Sequence, residues 1–236
     1  MAALTRLVWL GERADPEWFP PLEQALREPP GLLAAGGDLK PARLLAAYER
    51  GVFPWYSAQQ PILWWSPDPR MVLYPGEFKI SRSLAKTLRN GPYTTQVDTN
   101  FGATIRACAA PRRSGAETWL NLEMIDSYEE LHRLGFGHSV ETYWGERLVG
   151  GLYGIQLGGV FFGESMWSGE RDASKVALAR LVQECGLRNI QLIDCQIASA
   201  HLSSLGAREI SRGEFAAFLR RHARRAPCAP WASGNA

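Results

Sequence analysis

Apolar and polar positions along this chain fall into two textures, with the change near residue 90. Beyond it, residues 138–144 alternate as a strand does, Gly145-Glu146 marks a turn, and 147–156 returns as a second strand. Gly158-Gly159 turns the chain into Val160-Phe161-Phe162, so the pattern predicts an antiparallel meander. Over 172–185, Val176, Leu178, Leu181 and Val182 form one apolar face, which makes this the strongest predicted helix. Residues 190–195 read as a buried strand, and 121–134 as a helix closed by Gly135. Ser211-x-x-Glu214 is a capping box that opens a helix over 215–224.

The first third is rich in Pro, Gly and Trp instead. Here the pattern predicts a helix over 41–50, with Pro41 in its first turn and Gly51 just past its end. A short strand is expected at 71–74. A helix over 81–89 spaces Arg82, Lys86 and Arg89 four and three apart, which puts them on one face. Asn90-Gly91-Pro92 is the best division point, giving regions 1–90 and 91–236.

The chain has 236 residues, of which 46% are hydrophobic and 21% charged, enough apolar material for a core of one large domain or two small ones. No apolar run approaches the ~20 residues of a membrane span. The opening segment resembles neither a secretory signal nor a transit peptide. Four scattered cysteines (Cys108, Cys185, Cys195, Cys228) without a C-x-x-C pair read as reduced thiols, so a cytoplasmic protein is expected. The net charge of +2 taken whole argues against a polybasic nucleic-acid binder. Resolved along the chain it is uneven: residues 78–113 carry 7 basic groups and 1 acid, whereas 114–207 carry 6 basic and 12 acidic groups. Such asymmetry fits separate partners for separate faces, and it fits scattered surface charge equally well.

Catalytic signatures with a fixed pattern are missing: there is no Walker loop, G-x-G-x-x-G, H-E-x-x-H or nucleophile elbow. His132, His138, His201 and His222 lack metal-ligand spacing and read as structural or surface residues. Neither a metal nor a cofactor is expected. Two polar interruptions of buried strands remain. In Leu192-Ile193-Asp194-Cys195-Gln196, strand alternation puts Asp194 and Gln196 on one face, about 7 Å apart. Asp194 is either a buried acid satisfied by nearby amides or a carboxylate that orients or deprotonates a nucleophile. In Phe161-Phe162-Gly163-Glu164-Ser165-Met166, Glu164 is either a surface turn acid or an acid lining an apolar pocket. The tryptophan and tyrosine clusters amid prolines usually mean core packing, yet beside a basic segment they also suit a single-stranded nucleic-acid end.

The runs GGDLKPARLLAAYERGVFPWY, PILWWSPDPRMVLYP, KISRSL, GESMWS, ASKVAL and LIDCQ resemble, in the same order, the bacterial leucyl/phenylalanyl-tRNA protein transferases. The resemblance runs over most of the chain. It implies an α+β protein: a GNAT-like C-terminal domain, with a mixed sheet and flanking helices, plus a smaller α/β N-terminal domain. It implies transfer of Leu, Phe or Met from aminoacyl-tRNA to proteins with N-terminal Arg or Lys, which marks them for degradation by the N-end rule pathway. The motifs imply Asp194 and Gln196 as a catalytic pair with Glu164 near the reacting amines. They imply Leu152, Phe161, Met166 and Ile193 around the aminoacyl side chain, Leu152 standing where other members can carry Met. Tyr48, Trp55, Trp119 and Tyr128 match aromatic positions near the terminal adenosine of the tRNA, and Arg82, Lys86 and Arg89 a basic helix for its backbone. Lys40 stands where the family often has a helix-capping Ser. A monomer without cofactor is expected. Against this stand a GNAT-type N-acyltransferase using acyl-CoA and a noncatalytic RNA-end binding protein. The Gly169-Glu170-Arg171-Asp172 segment before the central helix speaks against the former, since its acids would repel a pyrophosphate.

Overall fold

The computed structural model of the chain describes residues 7–11, 14–57, 59–110, 120–226 and 231. Its elements run β1 (Val8–Leu10), β2 (Leu32–Gly36), α1 (Pro41–Glu49), β3 (Phe53–Pro54), β4 (Leu63–Trp65), β5 (Arg70–Leu73) and α2 (Arg82–Asn90). They continue with β6 (Tyr93–Val97), α3 (Phe101–Ala109), α4 (Leu122–Arg133), β7 (Gly137–Trp144), β8 (Arg147–Leu157) and β9 (Val160–Ser168). Last come α5 (Ala173–Leu187), β10 (Leu192–Gln196), α6 (Ala200–Ser204), β11 (Arg208–Ile210) and α7 (Arg212–His222).

Among the described residues the strands make two sheets, a 4-stranded one in the order β1-β2-β4-β3 and a 7-stranded one in the order β11-β5-β10-β9-β8-β7-β6. The larger sheet is mixed, because β10 runs parallel to β9 and antiparallel to β5. Helix α5 makes the crossover between β9 and β10 that such a parallel pair requires. The α+β class expected from the sequence is the one observed. The chain passes from the small sheet to the large one between Trp65 and Arg70, so β5 and α2 precede Asn90-Gly91-Pro92 while β5 already pairs with β10 and β11.

Strand alternation divides the core in two. Val72, Tyr153, Ile155, Phe162 and Leu192 face the layer that holds the small sheet, α1, α3, α4 and α7. Met71, Leu73, Leu152, Phe161 and Ile193 face α2 and α5. Both faces are covered, so these strands read as nearly continuous apolar runs. Each large side chain buried this way contributes on the order of 1.5–3 kcal/mol.

The motifs of the first third fix helix starts on both sides of the chain's passage between the sheets. Asp38 of the GGDL run accepts from the Lys40 amide at 2.9 Å and pairs with the buried Arg43. Lys40, at the N-cap of α1, makes no side-chain cap, as its identity predicts. Asp68 of WWSPDPR accepts from the Arg212 amide at 3.0 Å, which fixes the start of α7 and sets Arg70 at the first position of β5.

The meander differs from its predicted form in one respect that matters. The strand expected to stop at Phe162 runs on to Ser168, and it does so across a bulge. Gly154 pairs with Gly163 and Tyr153 with Ser165, which leaves Glu164 as the extra residue. The bulge demands close approach: a Cβ on Gly154 would stand 2.2 Å from the Phe162 carbonyl oxygen and 2.6 Å from the Phe161 ring. Gly154→Ala is therefore expected to cost about 1–3 kcal/mol by overpacking in urea unfolding. A loss below about 0.5 kcal/mol, the range of ordinary surface changes, would contradict this reading of the bulge.

Candidate functional site

Strands β9 and β10 pair in parallel from Leu192↔Val160 through Asp194↔Phe162, and their ladder ends there. Past that point each strand carries a bulge, the one at Glu164 and a second between Asp194 and Gln196, where β10 shifts register against β5. Gln196 adopts a left-handed backbone with φ of 55°. The alternation that puts Asp194 and Gln196 on one face is broken by this bulge.

A cavity of about 210 Å³ lies at the bulged ends of these strands, walled by Leu152, Phe161, Met166, Leu178, Leu181 and Ile193, with Leu202 of α6. All four side chains implied as the aminoacyl pocket, Leu152, Phe161, Met166 and Ile193, are brought together here. Leu178, Leu181 and Leu202 were not foreseen in that role, although the helical spacing of 172–185 already put the first two on one apolar face. A second cavity, of about 400 Å³, is lined by Phe53, Pro54, Trp55 and the 195–199 segment. The two share Glu164, Cys195 and Gln196, so the polar residues stand where the spaces meet.

Asp194 is fully buried, and both of its carboxylate oxygens are occupied by donors. Arg70 donates to it twice, Nε to Oδ1 at 2.8 Å and Nη2 to Oδ2 at 2.6 Å. The remaining nitrogen of the Arg70 fork donates to the Gly51 carbonyl at 3.0 Å. The guanidinium is sandwiched between the rings of Phe53 and Phe215, at 4.8 and 4.7 Å. Asp194 Oδ1 also accepts the backbone amide of Gln196 at 3.0 Å, not its side chain. The acid thus pins the left-handed turn that aims Gln196. Arg70 was missed from the sequence, and the signal was there: an arginine opening the apolar strand RMVL must find a buried counter-charge.

Glu164 is half-buried and receives three donors: Tyr48 Oη at 2.8 Å, Tyr128 Oη at 2.8 Å and Gln196 Nε2 at 3.2 Å. Burial pushes its carboxyl up to about 7, against the opposing pull of the two tyrosine hydroxyls. Tyr48 and Tyr128 are buried in the core, so their rings present no face for stacking and their hydroxyls serve Glu164. Trp55 is 40% exposed and does present a face, beside the second cavity. Trp119 lies outside the described residues. Cys195 is held as the thiol, since burial raises its pKa strongly. None of the four histidines lines either cavity, and among the described residues no three His, Cys, Asp or Glu side chains converge as metal ligands would.

Arg82, Lys86 and Arg89 are exposed on α2, away from the shared residues. Lys86 and Arg171 border a surface groove there. At the start of α5, the Ser174 amide is taken by the Ser168 hydroxyl at 2.8 Å, and Asp172 pairs with Lys175. This helix end is not an open anion cradle.

Two outcomes test these assignments. Arg70→Met strands a buried carboxylate and is expected to cost about 3–5 kcal/mol in urea unfolding, most of it recovered in the Arg70→Met, Asp194→Leu double variant. A single-variant loss under about 1 kcal/mol, that of an exposed pair, contradicts the buried-pair reading. For Glu164, the folded carboxyl is raised above its usual range, so its contribution to stability is present at low pH and is lost as pH rises through about 7. The melting temperature of Glu164→Gln is therefore expected to gain on wild type between pH 5 and pH 8, and parallel curves would contradict the shift.

The comparisons with known proteins agree with the motif order. Residues 72–220 match the family model described as leucyl/phenylalanyl-tRNA protein transferase, and residues 37–68 match the model of that enzyme's N-terminal domain. A leucyl/phenylalanyl-tRNA–protein transferase of Nitrosospira multiformis is 57% identical over 202 residues, 86% of this chain and 87% of that protein. One from Pseudomonas entomophila is 56% identical over 225 residues, 95% of this chain and 99% of that protein. Among solved structures, a GCN5-related N-acetyltransferase from Kribbella flavida is similar over 72% of this chain and 61% of that one, at 13% identity and a TM-score of 0.40. With a match of this extent in sequence, the chain belongs to the leucyl/phenylalanyl-tRNA protein transferase family.

Proposed function

We propose that this protein moves leucine, phenylalanine or methionine from its charged tRNA to the N-terminal amine of a protein that begins with Arg or Lys. Such a product would be marked for degradation by the N-end rule pathway. The observation that carries the reading is the meeting of two cavities at Glu164 and Gln196, one apolar and one walled by the exposed Trp55. The first takes the apolar aminoacyl side chain among Leu152, Phe161, Met166 and Ile193. The second takes the terminal adenosine against Trp55. The ester that joins the two then lies beside the shared polar residues.

The ester is already activated, so positioning is the main requirement, and orientation supplies on the order of 7–11 kcal/mol. An α-amine has a reference pKa of about 7.7–8.0, which leaves a sizeable neutral fraction near pH 7.4. A strong base is not needed. Gln196 donates its amide N–H to Glu164, and its carbonyl oxygen, which meets no donor among the described residues, is left to accept from the attacking amine. Asp194, held by Arg70, serves by fixing Gln196 rather than by taking the proton itself. Its charge is matched by Arg70, so the recognition of a cationic acceptor side chain does not fall to Asp194.

Arg82, Lys86 and Arg89 on α2, with Arg171 nearby, form the track for the tRNA backbone. The described residues include no helix long and apolar enough to cross a membrane, and we place the activity in the cytoplasm, in a monomer.

The direct test supplies leucyl-tRNA with a peptide beginning with Arg and looks for the new peptide bond. Product is expected with this pair and not with acetyl-CoA as donor; turnover of acetyl-CoA alone, or tRNA binding without product, would overturn the reading. Leu152→Trp fills the apolar cavity and is expected to reduce phenylalanine transfer more than methionine transfer, and equal losses would remove Leu152 from its wall. Replacing Arg82 and Lys86 with Glu is expected to raise the KM for tRNA and to flatten its dependence on log salt by about 2 in slope, at close to 1 per lost phosphate contact. An unchanged slope would take α2 out of the footprint.

A further inference from the structure

Tyr48, Tyr128 and Glu164 do more than share hydrogen bonds: their oxygens close a ring. Tyr48 Oη lies 2.8 Å from Glu164 Oε1, Tyr128 Oη lies 2.8 Å from Glu164 Oε2, and the two hydroxyls lie 2.7 Å from each other. Each hydroxyl has a single proton to give. If Glu164 is ionised, the ring holds two protons for three contacts. Both hydroxyls then donate to the carboxylate, and their lone pairs face each other across 2.7 Å in a buried site with nothing between them. A third proton, on the carboxyl, satisfies all three contacts at once. Glu164 then donates to one tyrosine, that tyrosine to the other, and the second tyrosine back to the remaining carboxyl oxygen, which also accepts from Gln196.

We propose that Glu164 is the neutral acid in the free protein, closed into a ring by Tyr48 and Tyr128 as positioning residues, and that this proton goes to the departing ribose oxygen during transfer. The second half rests on the aminoacyl-transfer reading. The groups facing Glu164 support the first half. Tyr48 comes from α1, Tyr128 from α4 and Tyr153 from β8, all held as neutral phenols well above their usual range, chiefly by burial. From β10 come Gln196 and Asp194, and from β5 comes Arg70, whose charge is matched by Asp194. No unpaired cation among these favours an ionised Glu164, and burial raises its carboxyl to about 7, outweighing the two tyrosine hydroxyls, which as donors pull the other way.

The balance of the step is complete without a further reagent. The amine nitrogen forms the new C–N bond, and the ester C–O bond breaks with its electron pair on the ribose oxygen. Glu164 gives that oxygen a proton, and the surplus proton of the amine returns to the ring. A shift of all three protons around the ring moves the acidic proton from one carboxyl oxygen to the other without rotating the side chain. A proton received on one side is thus released on the other.

Glu164→Gln is the informative variant, because its amide N–H stands where the acid O–H stood and keeps the ring closed. The infrared difference spectrum of wild type minus this variant at pH 6 is expected to show the C=O stretch of a protonated carboxylic acid, which fades as pH rises through about 7. Tyr128→Phe, and in parallel Tyr48→Phe, is expected to move that band to higher frequency as the acid loses part of its ring. Absence of the band at pH 6, or a band that neither tyrosine variant moves, overturns the neutral ring. In leucyl transfer, Glu164→Gln is expected to lower kcat by ~100-fold, the scale of a lost general acid, with the KM for leucyl-tRNA nearly unchanged. An unchanged kcat overturns the donor role. Wild-type protein that shows the band and yet makes no peptide bond overturns the transfer reading while upholding the ring.

Discussion

The Arg70–Asp194 ion pair is the constraint on which the site depends. It joins β5 to β10 inside the core, with a guanidinium clamped between Phe53 of the small sheet and Phe215 of α7. Two charges taken out of water gain little net stability, because desolvation opposes their attraction. What the pair does supply is geometry. Asp194 holds the Gln196 amide, that bond sets a left-handed turn, and the turn sends the Gln196 side chain to Glu164. Without the arginine the acid would be an uncompensated buried charge at the point where β9 and β10 part.

The parting itself has a steric cause. Gly154 and Gly163 allow the two strands of the meander to come together across an extra residue, and that residue is Glu164. Two bulges on neighbouring strands then open the sheet edge-on where its core is most apolar. Leu152, Phe161 and Ile193 continue the core into the first cavity, so on the proposed reading the aminoacyl side chain meets the same surface that packs α5. An apolar slot of this kind separates side chains that differ by one methylene by only about 1–3 kcal/mol, which suits a site that accepts several related residues.

Much of the fold was legible in the sequence, because glycine turns at Gly145 and Gly158 bound the meander strands and helices α1, α2, α4, α5 and α7 have the expected periodicity or caps. Ser81, Asn121 and Ser211 each cap the helix they precede. The small sheet was not legible: β3 has two residues, and Leu32–Gly36 of β2 is buried throughout, so neither alternates. At the site, the motifs named Glu164, Gln196 and the apolar wall, which the fold brings together, while strand alternation misjudged their spacing. Alternation cannot foresee a bulge, and both polar residues sit at one. Asp194 was legible as a buried acid, but its partner lies 124 positions away. A pairing of that reach is visible only once β5 and β10 are side by side. For the same reason the contact between the Tyr48 and Tyr128 hydroxyls, 80 positions apart, was not legible in the sequence.

The central claim is that one apolar cavity and one aromatic-walled cavity hold the two ends of an aminoacyl ester across Glu164 and Gln196. The most direct measurement is a structure of the protein with a non-hydrolysable leucyl-adenosine amide. The account places the leucyl side chain against Leu152, Phe161 and Ile193, the adenine on Trp55, and the amide linkage within hydrogen-bond reach of Gln196 or Glu164. An adenine bound away from Trp55, or a leucyl side chain outside the Leu152 cavity, would contradict it.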